Sequence, residues 1–284
     1  MALIADSNVE GPVSANPVFN NNQVTLIVAG VTVIADSNTL IRTPTKVLNL
    51  TEVVDTTPFP GRSDPGFVNG SAQADGEYDT TVGVLRASRL FLEPAEHVLV
   101  GPIANPTDSG AVVNGVNAEL TNDARIPKKP IQNEFGFPIK ADTIPNDSLA
   151  AAEGYYAGGS LRAFLISVDA PDALLKSDGP QVSLMRARVQ EKPAAPEEGR
   201  NASYRLSVRG AVYPGFTPQR IDVYALQNGI PVYLGSTESR PVRNTPYGKY
   251  DDDFKNIPGS APVSVRVVNV TAPGSPFAEE YVDF

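Results

Sequence analysis

Apolar and polar residues alternate along short runs of this chain, and each run closes on a turn containing Gly or Pro. That pattern predicts strands rather than helices. Val24–Val28 and Val31–Ile34 are β-rich runs separated by Ala29-Gly30, which reads as a hairpin. Gly76-Glu77-Tyr78 and Val84–Leu92, joined by the turn Asp79–Gly83, read as another. Gln181–Val189 alternates in the same way and would either open the last domain or complete the preceding one. From Tyr204 onward, runs at Tyr204–Arg209, Arg220–Leu226, Pro231–Leu234, Gly248–Tyr250 and Val263–Val270 are separated by turns such as Gln227-Asn228-Gly229. Short alternating strands at this rhythm predict a β-sandwich.

Landmarks in the first part recur in the same order. Val28-Ala29-Gly30-Val31 is mirrored by Val113-Asn114-Gly115-Val116, and each glycine is followed at equal spacing by an isoleucine, Ile41 or Ile126. Gly76 and Tyr78 are mirrored by Gly154 and Tyr156, and Leu85-Arg86-Ala87 by Leu161-Arg162-Ala163. Between these landmarks lie two loops rich in Pro and Phe, Pro58-Phe59-Pro60-Gly61 and Phe135-Gly136-Phe137-Pro138. Four ordered landmarks indicate an internal duplication. In each copy, Leu and Ala of the Leu-Arg-Ala strand share one face and the arginine (Arg86 or Arg162) takes the other, outward one.

The expected architecture is therefore all-β: two tandem small β-barrel or curled-sheet repeats, then an immunoglobulin-like β-sandwich, with an extended N-terminal arm. The expected boundaries are 1–22 for the arm, 23–95 and 96–170 for the repeats, 171–202 for a Pro-rich connector and 203–284 for the sandwich. The arm is either a frayed terminus or a strand donated to a neighbouring subunit, anchored by Val9, Val13, Val18 and Phe19.

The repeats resemble an uncharacterised bacterial family of small OB-like β-barrel domains found in envelope and secreted proteins. Val31-Thr32-Val33, Thr39-Leu40-Ile41 and Leu85-Arg86-Ala87 carry the likeness in the first copy. Gly115-Val116, Asp123-Ala124-Arg125-Ile126 and Leu161-Arg162-Ala163 carry it in the second. The resemblance implies no known catalysis. The C-terminal part is similar to bacterial immunoglobulin-like domains through Leu206–Gly210, Ile221–Tyr224, Tyr247–Tyr250 and Val263–Val267.

Composition narrows the function further. The net charge is −9, and the densest basic spot is the dipeptide Lys128-Lys129, so a nucleic-acid partner is not expected. With no Cys and one His, disulfides, thiolate sites and His-based zinc sites are excluded. His97 lies in Glu93–Val98 with no Gly-x-Ser-x-Gly elbow in the chain, and reads as a surface or structural residue. No nucleotide-binding glycine motif occurs. No apolar stretch is long enough to span a membrane, and Met1–Asp6 does not look like a signal peptide. Five Asn-x-Ser/Thr triplets are read as chance. The run Asp251-Asp252-Asp253, placed in a loop, is the one candidate for Ca²⁺, against the plainer reading of a solvated turn; no other cofactor is expected. Tyr155-Tyr156, Tyr247 and Tyr250 are the aromatic candidates for a glycan platform, against core or strand-pairing roles.

These features point to a non-enzymatic structural subunit of an extracellular filament, surface layer or virion, with copies of itself as partners. The alternative is a surface adhesin, or a module that binds glycan or protein. The expected location is extracellular or cell-surface, or else the virion.

Overall fold

The computed structural model describes residues 3–192, 194, 201–227 and 229–283. The protein is all-β. Its contacts divide it into two compact units, Met1–Ile131 with Asn146–Ile166, and Gln132–Pro145 with Ser167–Phe284. Most of the expected Pro-rich linker between Lys192 and Arg200 lies outside the described residues. Among the described residues, no helix is long and apolar enough to cross a membrane.

The first sheet contains β1 (Leu3–Pro12), β2 (Val18–Asn20), β3 (Gln23–Val28), β4 (Val31–Ala35), β5 (Leu40–Thr43) and β6 (Lys46–Val47). After the short helix α1 (Leu50–Val53) come β7 (Ser71–Asp79) and β8 (Val84–Glu93). Its order is β1-β7-β8-β4-β3-β2, with β5 beside β8 and β6. The segment expected as an extended N-terminal arm is thus, from Leu3 to Pro12, a strand of the chain's own sheet, antiparallel to β7. Its alternation is short and masked by the Pro- and Asn-rich residues that follow, so it reads as irregular in sequence. Val13 closes the strand by bridging Val28 and is fully buried. Burying one such valine contributes roughly 1.5–3 kcal/mol, which is enough to oppose fraying of β1.

The second sheet contains β9 (His97–Thr107), β10 (Gly110–Val113), β11 (Val116–Leu120), β12 (Gln132–Asn133), β13 (Leu149–Ala157) and β14 (Ser160–Val168). Strands β11, β10, β9, β13 and β14 follow one another, and β11 pairs in parallel with β14 to close a five-stranded barrel. Closure removes the open edges that a flat sheet this small would expose.

The same local geometry recurs in both sheets. The hairpin turns place Ala29-Gly30 (φ 47° and 84°) and Asn114-Gly115 (φ 50° and 79°) in the left-handed region, the requirement of a two-residue I′ turn. The Ala29 amide donates to the Pro12 carbonyl at 3.0 Å, and the Asn114 amide to the Pro102 carbonyl at 3.0 Å. The Asn69 amide donates to Val13 and the Asp147 amide to Ile103, each at 2.9 Å. Val33 faces Leu85 across a parallel pair, and Ala118 faces Leu161 likewise. A Cβ on Gly76 would lie 2.0 Å from the Arg86 carbonyl oxygen, and one on Gly154 would lie 2.1 Å from that of Arg162. Only glycine fits at either place.

The second unit contains β15 (Gln181–Lys192), β16 (Ser203–Tyr213), β17 (Arg220–Gln227), β18 (Ile230–Glu238), β19 (Arg240–Pro241), β20 (Gly248–Pro258), β21 (Ser264–Asn269) and β22 (Phe277–Tyr281). They form two antiparallel four-stranded sheets, β15-β16-β20-β19 and β18-β17-β21-β22. One core lies between them, with Leu206, Val208 and Tyr250 from the first sheet and Ile221, Val223, Val265 and Val267 from the second. Strand β15 pairs along β16, so the Gln181–Val189 alternation belongs to this pair of sheets and not to the preceding barrel.

Candidate functional site

Strands β9 and β13 form an antiparallel pair on the barrel wall, with Pro102 opposite Leu149, Val100 opposite Ala151 and Val98 opposite Glu153. Successive side chains on a strand point to opposite faces. Ile103, Ala150 and Ala152 therefore fill the barrel, while Val98, Val100 and Leu149 stay exposed at 52%, 57% and 56%. In the first sheet, β1 and β7 show a corresponding pairing, with Pro12 opposite Ser71, Glu10 opposite Gln73 and Asn8 opposite Asp75. There the outward positions carry the polar residues expected of a solvated face. The apolar stripe on β9 and β13 is not required by the barrel itself, because the same pairing tolerates polar residues elsewhere in this chain.

One end of the stripe is acidic. Burial pushes the Glu93 carboxyl up to about 7, and the negative charges of Glu96 and Glu153 add to the shift. Burial also raises Glu153. The folded Glu93 thus holds its proton more tightly than an unfolded glutamate, whose value is 4.5. Its stabilising contribution is complete below that value and is lost as pH rises through the folded one. Glu93→Gln keeps the neutral form at every pH. It is expected to match the parent at pH 4 and to exceed it by about 1–3 kcal/mol at pH 8. Urea titrations at the two pH values measure this, and equal stabilities at pH 8 would refute it. Nearby, the Tyr156 amide donates to His97 Nδ1 at 2.8 Å, so the exposed histidine has a structural tie.

A second exposed face lies on the β18-β17-β21-β22 sheet. One row across it reads Tyr233, Tyr224, Arg266, Glu279, and the next reads Ser236, Asp222, Val268, Phe277. Tyr224 and Tyr233 meet edge to face with ring centroids 5.5 Å apart. Asp222 Oδ1 accepts from Arg220 Nε at 2.9 Å and from Ser236 Oγ at 2.7 Å. Arg266 Nε donates to Glu279 at 2.6 Å, and its guanidinium lies 4.9 Å from the Phe277 ring centroid.

The residues singled out from sequence are dispersed. Val9 is half-buried against the first core and Val13 fully buried in it, whereas Val18 and Phe19 are exposed at 59% and 44% on β2. Gly30 and Gly115 occupy the two hairpin turns. Ile41, Ile126, Leu85 and Leu161 are buried. Tyr78 is half-buried, and Tyr156 is exposed at 55%. Asp251, Asp252 and Asp253 do not lie in a loop but within β20. Arg209 and Ser207 on β16 stand opposite Asp251 and Asp253. Arg209 Nη2 binds Asp251 at 2.7 Å, and Asp253 takes Arg205 and Ser207. Hydrogen bonds from Arg205 and Ser207 hold the Asp253 carboxyl below the usual range. Three consecutive acids read as a turn in isolation; the cross-strand arginines that accommodate them become visible only once the strands pair. Among the described residues, no group of three or more His, Cys, Asp or Glu side chains is arranged to hold a metal ion. Of the tyrosine candidates, Tyr155, Tyr247 and Tyr250 are core residues.

Sequence reasoning passed over Arg125, which was quoted only as part of a motif. It is 2% exposed, it grips Asp123 with Nε and Nη2 at 2.9 Å each, and its guanidinium sits 3.8 Å from the Phe59 ring centroid. The chain matches no family model, no curated protein and no solved structure.

Proposed function

We propose that this protein is a structural subunit that assembles with copies of itself, built from two duplicated small OB-like barrels and an immunoglobulin-like sandwich. The recurrence of the Gly30/Gly115 turns, the Pro12/Pro102 acceptors and the Gly76/Gly154 close approaches supports duplication. Under that alignment Asn8, Glu10, Ser71 and Gln73 correspond to Val98, Val100, Leu149 and Ala151. The observation that carries the proposal is this polar-to-apolar exchange on a single outward face. Contiguous exposed apolar surface on a soluble domain marks an interaction site.

Charge favours a second copy as the occupant. Two chains each carrying −9 repel one another. Val98, Val100, Pro102, Leu149 and Ala151 carry no charge, and burial raises the Glu153 carboxyl at the acidic end opposite Val98, so copies can approach along the stripe at low electrostatic cost. The setting that fits such a subunit is extracellular or cell-surface, or a virion, and its role is architectural rather than catalytic.

Sedimentation velocity over a concentration series tests this. The parent is expected to self-associate, and Val100→Glu combined with Leu149→Glu is expected to sediment as a monomer with an unchanged circular dichroism spectrum. A parent that stays monomeric at every concentration, or a variant that associates as the parent does, would reject the proposal.

A further inference from the structure

We propose that the outer face of the β18-β17-β21-β22 sheet binds a neutral, hydroxyl-rich polymer: a polysaccharide. The site is independent of the self-assembly face and lies wholly within the second unit.

The face is built, not incidental. A β-bulge in the β17–β18 pair sets Gly235 opposite Val223 and Tyr233 opposite Tyr224, leaving Leu234 as the extra residue. Strict alternation from Ser236 would put Leu234 and Val232 on the outer face. The bulge turns Leu234 toward the core and brings Tyr233 onto the outer side beside Ser236. Glycine is needed at the bulge because a Cβ on Gly235 would lie 2.7 Å from the Phe254 ring.

Hydrogen-bond directions then follow from counting protons. Ser236 Oγ lies 2.7 Å from Asp222 Oδ1 and 2.7 Å from Tyr233 Oη. The carboxylate can only accept, so the single serine proton goes to Asp222. Tyr233 must therefore donate its proton to Ser236, while its oxygen accepts from Arg220 Nη2 at 3.5 Å and keeps one further lone pair. Asp222 keeps Oδ2 for another donor, and Arg220, bound through Nε to Asp222 and Ser236 and through Nη2 to Tyr233 at 3.5 Å, has further N–H groups to donate. Acceptors and donors thus alternate beside aromatic surface, which is the chemistry that vicinal hydroxyls require.

Net charge selects among polymers. Each guanidinium on the face has a carboxylate on the same face: Arg220 with Asp222, and Arg266 with Glu279. Glu238, exposed opposite Arg220, adds one carboxylate unpaired among the described residues, so the face is slightly acidic within a chain of net charge −9 and a polyanion gains nothing by docking there. Tyr233 on β18 and Phe277 on β22, exposed at 51% and 61%, stand three strand spacings and one row apart, roughly 16 Å. Rings at that separation offer two stacking points along one chain of sugar rings.

Affinity gel electrophoresis tests the site, using hydroxyethyl cellulose, glucomannan, xylan and dextran as neutral probes and heparin as the polyanion. At least one neutral polysaccharide is expected to retard the protein, and heparin is not. Tyr233→Ala and Phe277→Ala are each expected to weaken retardation about tenfold. Asp222→Asn, which preserves shape, is expected to weaken it with the fold intact by circular dichroism. Absence of retardation by all four neutral probes, retardation by heparin alone, or full retardation of Tyr233→Ala would overturn the proposal.

Discussion

Replacing Arg125 by alanine is expected to lower the unfolding free energy by about 3–5 kcal/mol, the largest single loss in the first unit. The guanidinium is almost completely enclosed. It makes the two-point contact with Asp123, donates through Nη1 to the Asp55 carbonyl at 3.2 Å, and covers the Phe59 ring. Phe59 in turn packs edge to face on Phe67 and Tyr155, and Tyr155 Oη donates to the Pro60 carbonyl at 3.1 Å. Burial pushes that phenol up to about 12, so it stays a donor across the working pH range. Removing Arg125 leaves Asp123 without its cation and opens space over the aromatic cluster. Both effects have the same sign. Pairing Arg125→Met with Asp123→Ala is expected to cost less than Arg125→Ala alone, because no buried charge is left unpaired. Urea denaturation monitored by circular dichroism measures both. A loss below about 1 kcal/mol for Arg125→Ala would show that the clamp is ornamental.

The corresponding loss in the second unit is expected from Tyr247→Ala, again about 3–5 kcal/mol. Tyr247 is 1% exposed and stacks on Phe135 and Phe137 with centroid distances of 4.3 and 5.5 Å. These two phenylalanines belong to the loop Gln132–Pro145, which groups with this unit. Buried Asn133 shapes the loop by accepting from the Phe135 and Phe137 amides, and donates through Nδ2 to Tyr247 Oη at 3.0 Å. Ser183 fixes it from β15 by donating to the Phe135 carbonyl at 2.5 Å. Tyr247→Phe retains the stack and loses one hydrogen bond, so about 1 kcal/mol is expected from it. Hydrogen exchange locates the effect: the alanine variant should lose protection at the Phe135 and Phe137 amides, and the phenylalanine variant should largely keep it. Unchanged protection in Tyr247→Ala would mean that the stack does not hold the loop.

The paired Pro- and Phe-rich loops show where reading the chain succeeded and where it stopped. Their composition and order were plain in the sequence, but what they touch was not. Phe59 rests under an arginine about 65 residues away, and Phe135 on a tyrosine more than 100 residues away, separations that no local pattern encodes. The hairpins at Gly30 and Gly115 were legible because a two-residue turn is decided by its own backbone. Strand β1 was missed because its alternation is short and becomes meaningful only against β7. The Asp251–Asp253 run was placed in a loop because its arginine partners lie on another strand. Tyr233 was not picked out as a site residue because a bulge, set by Gly235 against Phe254, decides the face on which it stands.

By itself, then, the sequence determined the all-β class, the hairpin turns, the recurring landmarks and the exclusion of thiol chemistry, since each follows from local conformational preference or from residues that are simply lacking. Tertiary structure alone decided that the N-terminal residues form a strand, that one sheet closes into a barrel, that Arg125 is a buried clamp, and that an apolar stripe and an aromatic face are left outward. Those outcomes depend on strand register and on which distant side chains meet, and a shift of one residue in register would exchange every inward position for an outward one.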